Sequence, residues 1–157
     1  MSWKTKVAAV VGAFLFVAAG NARVAHAAPP TDACSLLTPE QVSSVLGFSA
    51  KPGHPVPSDT TVCDWPLTSL AKATKDTKEA EVKILDAESW ALITPAANAA
   101  AQVKGIGDFA VYLGDPTLMT LYVKKGDSKF SVNVHGFPLD QVKAKEKTLA
   151  QDVVAKL

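Results

Sequence analysis

Two hydrophobic periods organise the chain. Near residues 38–46 and again from Leu139 to Leu157, apolar residues return every three or four positions, as on one face of a helix. Between them lie stretches in which apolar and polar residues alternate, as on half-buried strands. The first helix has a full set of end signals. Thr38 is placed to cap it, Pro39 to fill its first position, Gln41 to complete a capping box and Gly47 to end it. Val42, Val45 and Leu46 form its buried stripe, with Leu37 stapled onto them. Pro138 opens the last helix, where Leu139, Val142, Leu149, Val153 and Leu157 follow an amphipathic spacing. Over Leu139 to Leu157 this helix would span about 29 Å.

The strand signals fall between these helices. Residues Thr61 to Leu67 put Cys63, Trp65 and Leu67 on one face, with Val62 and Asp64 on the other. Glu81 to Leu85 turns Val82 and Ile84 inward, and Asp86 then caps a second helix from about Ala87. Pro95 is expected to interrupt that helix before it resumes through the Ala-rich run to Gln102. Gly105 and Gly107 mark a turn into a strand carrying Phe109, Val111 and Leu113. Leu118 to Lys124, a hairpin turn at Gly126-Asp127, and Lys129 to His135 complete the pattern. The proline-rich segment Phe48 to Thr60 reads as an extended loop, and Ser69 to Lys78 as a polar connection. The predicted fold is α+β: an antiparallel sheet of about five strands, packed by helices on one face, in the order α-β-β-α-β-β-β-α.

Residues 1–27 carry a different pattern. Lys4 and Lys6 precede an apolar run from Val7 to Ala19, and Ala25-His26-Ala27 supplies small residues around a cleavage point. The run extends to Gly20 at most, 14 residues, whereas a bilayer span needs about 20. This is the pattern of a cleavable secretory signal peptide, followed by a flexible lead over 28–33 and a single domain over 34–157. It predicts a periplasmic or secreted protein with no stable membrane span in mature form. Cleavage also changes the charge. The whole chain stands at +1, but residues 28–157 hold 13 lysines, 15 acidic residues and no arginine, about −2. Such a balance offers nothing to nucleic acid, and without arginine there is no bidentate fork for phosphates or carboxylates. Cys34 and Cys63 are the only cysteines. In an oxidising compartment an even pair most simply forms one disulfide, worth about 3–4 kcal/mol by loop entropy.

The inventory of chemistry is short. Gly105-Ile106-Gly107-Asp108-Phe109-Ala110 follows a helix and opens a strand, the reverse of what a dinucleotide fingerprint requires. No serine occupies a nucleophile elbow, and no cluster of His, Cys and carboxylates has metal-ligand spacing. His54 lies in the proline-rich loop and His135 on the outer face of the last strand. Asp64 and Asp108 are the carboxylates nearest the strands, with capping or turn hydrogen bonds as their default role. Lys143, Lys145 and Lys147, alternating with Glu146, read as a solvated helix face. We therefore expect no catalytic residues, no metal and no cofactor. One positive feature is an outward-facing set on the last three strands. Tyr112, Tyr122, Asn133 and His135 would form an amphipathic patch on the open sheet face, suited to a peptide, glycan or small ligand.

The segment Cys34-Ser35-Leu36-Leu37-Thr38-Pro39-Glu40-Gln41-Val42, with Leu46-Gly47, resembles the opening of a family of small exported bacterial proteins and lipoproteins of unknown function. Cys63-Asp64-Trp65, Gly105-Ile106-Gly107-Asp108 and the closing helix with Glu146, Leu149 and Ala150 resemble its later landmarks. The chain departs from the lipoprotein members in having no acylation context before Cys34. The resemblance implies a compact extracytoplasmic α+β domain with its two cysteines bridged, and brings no catalytic residues. The functional expectation is an exported binding or protein-interaction domain of the cell envelope. Its partner would be an envelope protein, peptide, glycan or small ligand. The alternatives are an extracytoplasmic enzyme using a carboxylate or His135, or a structural or inhibitor protein.

Overall fold

The structure, a computed structural model, describes residues 29–66, 78–115 and 118–157. The signal segment and most of the Ser69–Lys78 connection lie outside the described residues. The fold is α+β, with three helices and an antiparallel sheet of six strands among the described residues. In chain order these are α1 (Pro39–Leu46), β1 (His54–Val56), β2 (Asp59–Pro66), β3 (Glu79–Ile84), α2 (Ala87–Ala99), β4 (Phe109–Asp115), β5 (Leu118–Lys125), β6 (Ser128–His135) and α3 (Leu139–Val154). The strands lie side by side as β1-β2-β3-β6-β5-β4. The expected five strands become six because the proline-rich segment contributes β1. It is an edge strand of three residues, where Pro55 can sit without breaking a central ladder.

Cross-strand partners share a face, so the register sorts the side chains into two sets. One set runs Cys63, Val82, Val132 and Leu121, with Trp65, Ala80, Val134, Phe130 and Val123 in neighbouring rows. These residues are buried and form the core with Val42 and Leu46 of α1 and Val142, Leu149 and Val153 of α3. α1 carries the expected capping box. Thr38 Oγ1 accepts from Gln41 N–H, the Gln41 side chain accepts from Thr38 N–H, and Gly47 ends the helix at φ 76°. The Cys34–Cys63 disulfide is present, with Cα atoms 5.1 Å apart, and ties the 3-10 turn Ala33–Ser35 to the middle of β2. Gly53 lies so close to the bridge and to Trp65 that an added Cβ would stand 2.6 Å from the indole and 2.8 Å from Cys63 Sγ. Only glycine fits there.

α2 departs from expectation twice. It runs unbroken through Pro95, with Asp86 capping Ser89 N–H at 2.7 Å. It also packs on the opposite side of the sheet from α1 and α3, where Trp90 meets Phe109 edge to face at 6.2 Å. Among the described residues, α1 and α3 cover one face of the sheet and α2 packs along β4 on the other, where Val62, Ser131 and Asn133 are buried as well. This explains the phase of β4. Phe109 and Val111 turn toward α2, while Ala110 and Tyr112 join the main core. α3 ends at Val154 rather than Leu157.

Candidate binding face

Away from α2 the second face is mostly polar and part-buried, and its rows follow from strand pairing. His54 of β1 faces Asp64 of β2, Asp64 faces Glu81 of β3, and Glu81 faces Asn133 of β6. Asn133 Nδ2 donates to Thr120 Oγ1 of β5 at 3.1 Å, extending the row across five strands. On one side of it lie Glu79 and His135, which are paired. On the other lie Val62, Lys83, Ser131 and Tyr122, also in register.

The carboxylates of this row are offset only in part, Asp64 by His54 and His135 and Glu81 by His135 and Lys83. Among the described residues, neither Asp64 nor Glu81 has a hydrogen bond or an ion pair. Burial raises both carboxyls above their ordinary range, and for Glu81 the facing Asp64 adds repulsion. The cation of the adjacent row is committed elsewhere. Lys83 Nζ binds Asp59 at 2.7 Å and, with Thr61, pulls that carboxyl down to about 2. Asn133 is only 9% exposed, and its Oδ1 is buried with no partner. Acceptors thus line up across β2, β3 and β6 without a direct hydrogen bond to Asp64, Glu81 or Asn133 Oδ1 among the described residues.

Three of the four residues expected in the patch lie on this face. Tyr122, Asn133 and His135 are in adjacent rows on β5 and β6. Tyr112 does not join them. It pairs with Leu121 on the helix-covered face, and its hydroxyl donates to the Lys143 carbonyl of α3. Burial pushes that phenol up to about 12. The error comes from Phe109 to Leu113, where a strand covered on both faces is apolar throughout and alternation gives no phase. Asp64 and Glu81 were missed as a pair because their neighbour Asn133 is 52 residues beyond Glu81 in sequence. The alternation Lys129 to His135 shows which way Asn133 points, but not that β3 lies beside it.

The remaining candidates have structural settings. Asp108 accepts the Gly126 N–H at 2.6 Å and so fastens the β5–β6 hairpin turn, which lowers its pKa. Lys145 is not simply solvated. Its Nζ donates to the Val45 and Leu46 carbonyls at 3.0 and 3.3 Å, at the C-terminal end of α1, where a cation is favoured. Glu146 overturns the solvated-face reading outright. It is fully buried beneath α3, and Oε1 accepts the Val134 N–H at 3.1 Å. The β5–β6 register begins only at Leu121 and Val132, so this carboxyl takes a strand donor beyond the ladder's end. Oε2 has no partner, and burial pushes the carboxyl up to about 8. Its position was readable: Glu146 lies four residues after Val142 and three before Leu149, on the buried stripe.

Two recesses flank these features. One of about 90 Å³ opens beside the end of β6, where Leu118, His135 and Phe137 are among its walls. The other, about 210 Å³, lies between α2 and Phe109 and Lys124. Among the described residues no group of three or more His, Cys, Asp or Glu could hold a metal ion, and no helix is long and apolar enough to cross a membrane. Comparison with protein-family models, with curated proteins and with solved structures finds no match to this chain.

Proposed function

We propose that this chain is an exported, disulfide-stapled binding domain of the bacterial cell envelope, and that its ligand docks on the uncovered sheet face around Tyr122, Asn133 and His135. The disulfide supports an extracytoplasmic setting, since such bridges persist where thiols are not kept reduced. The observation that carries the binding reading is the row of unsatisfied acceptors. Buried polar groups are ordinarily paired, and an isolated exception costs about 1–3 kcal/mol. Retaining Asn133 Oδ1 and two unpaired carboxylates on one face is understandable if a ligand supplies the donors. The half-exposed ring of Tyr122 adds amphipathic contact area beside them.

The test is capture from envelope extract with the disulfide intact, run in parallel on wild type, Tyr122→Ala/His135→Ala and Leu92→Ser. Leu92 is exposed on α2 and belongs to none of the strand rows of the proposed site. A partner lost only with the double variant supports the reading. A partner retained by the double variant and lost with Leu92→Ser overturns it.

A second reading has one observation in its favour. Carboxyls raised by burial beside a histidine are the ingredients of acid–base catalysis, and Asp64 and Glu81 lie close to His135. A bell-shaped pH dependence of any turnover, abolished by Glu81→Gln, would favour an enzyme over a binding domain.

A further inference from the structure

We propose that the Asp64–Glu81 pair is a subsite for a primary alkylammonium group, with Asn133 Oδ1 as its third acceptor. This assignment rests on the binding reading of the same face and names the chemistry of what binds there. Three observations converge on it. The two carboxylates face each other across β2 and β3 with no counter-ion among the described residues. Next in the row stands a side-chain oxygen that is nine-tenths buried and unpartnered, on an amide whose other end is held by Thr120. The three groups are all acceptors, and an ammonium is an all-donor group with three N–H bonds.

Neighbouring charges select the kind of cation. Among the described residues no group of three or more His, Cys, Asp or Glu could hold a metal ion, which favours an organic cation at this pair. The charged and titratable groups facing the pair are His54 from β1, Glu79 and Lys83 from β3, and His135 from β6. Tyr122 completes the set from β5 and feels both Lys83 and Glu81. Glu79 adds negative charge, and Lys83 is tied to Asp59. Burial raises both carboxyls, so an ammonium competes with protons for them and affinity should rise with pH.

The experiment uses the full disulfide-bonded chain, labelled for NMR, and two probes of one chemistry. These are 1,5-diaminopentane, for a free amine, and the capped peptide acetyl-Gly-Lys-Gly-amide, for a lysine side chain. 1,5-Pentanediol serves as the uncharged control. The expected result is saturable perturbation of residues 64, 81 and 133 by either amine, with proton release seen as a buffer-dependent binding enthalpy. Glu81→Gln and Asp64→Asn should each weaken binding about tenfold, as expected for loss of a charge-assisted contact. Which amine binds more tightly identifies its source. Equal binding by Glu81→Gln, or affinity that falls with rising pH, overturns the assignment. Perturbation of the same residues by the diol alone overturns the ammonium and leaves the face as a binding surface. No perturbation of the face by any probe overturns both.

Discussion

The two faces of this sheet treat a carboxylate in opposite ways. On the covered face, Glu146 lies wholly buried among apolar side chains, with one oxygen on a backbone N–H and the other unpartnered. On the uncovered face, Glu81 stands beside Asp64 at partial exposure, with neither oxygen engaged among the described residues. Burial is the largest influence on both carboxyls, and for Glu81 the facing Asp64 adds to it. Glu146 is thus held neutral by its surroundings and belongs to the packing. Glu81 is kept hungry for a cation by its neighbours and belongs to the surface chemistry.

The largest test of this contrast concerns packing itself. Trp65 is completely buried beside the disulfide and Gly53, whereas Tyr122 on the other face is half-exposed. Trp65→Ala should cost about 3–5 kcal/mol in urea unfolding, and Tyr122→Ala about 1 kcal/mol. Similar costs for the two would mean that the second face is as much core as the first.

Next comes Glu146. Its folded pKa is about 8, against an ordinary value of 4.5. Below the ordinary value both folded and unfolded chains hold the proton, so the group is neutral in the balance. Between the two values the unfolded chain releases the proton and the native state keeps it. Stability from this site is therefore lost as pH rises from 4.5 to 8, on the order of 3–5 kcal/mol in all. Glu146→Gln mimics the protonated form and preserves an acceptor for Val134 N–H. It should leave stability nearly unchanged at pH 4.5 and raise it by a few kcal/mol at pH 8. Thermal melts across this range would show it, and parallel pH profiles for the two proteins would refute it.

Lys145 is a smaller test on the same helix. It reaches the last carbonyls of α1 and sits 4.8 Å from the Phe137 ring centre. Lys145→Ala should cost about 1 kcal/mol and speed amide exchange at the end of α1, with Lys147→Ala as a silent control.

What could be read from sequence was whatever depends on near neighbours. The Thr38–Gln41 capping box and the Asp86 cap each involve residues a few positions apart, and the structure contains both. The Cys34–Cys63 bridge was readable because the chain has no other cysteine to choose. What failed depended on tertiary context. β1 is a strand only because Pro55 faces Cys63 at the sheet edge, and Tyr112 changed faces because α2 covers β4 from the side expected to be open. The acceptor row needs β3 beside β6, a pairing of strands separated by α2, β4 and β5 that no local pattern announces.

The smallest stability effect is the one that bears most on function. Glu81 has its carboxyl raised by burial and by Asp64, so its charge opposes folding above its ordinary pKa. Glu81→Gln removes that opposition. By the same sign argument as for Glu146, the variant should equal wild type at pH 4 and exceed it modestly at pH 8. The site is only part-buried, so solvent screening should keep the gain within about 1 kcal/mol. The decisive comparison is made with and without 1,5-diaminopentane. A bound ammonium stabilises the wild-type chain through mass action and neutralises the repulsion that Gln had already removed. Added diamine should therefore raise the melting temperature of wild type more than that of Glu81→Gln, and the gap should narrow as pH falls and protons displace the cation. An equal rise in both proteins would mean that the amine binds elsewhere, and the two faces would then differ in packing but not in purpose.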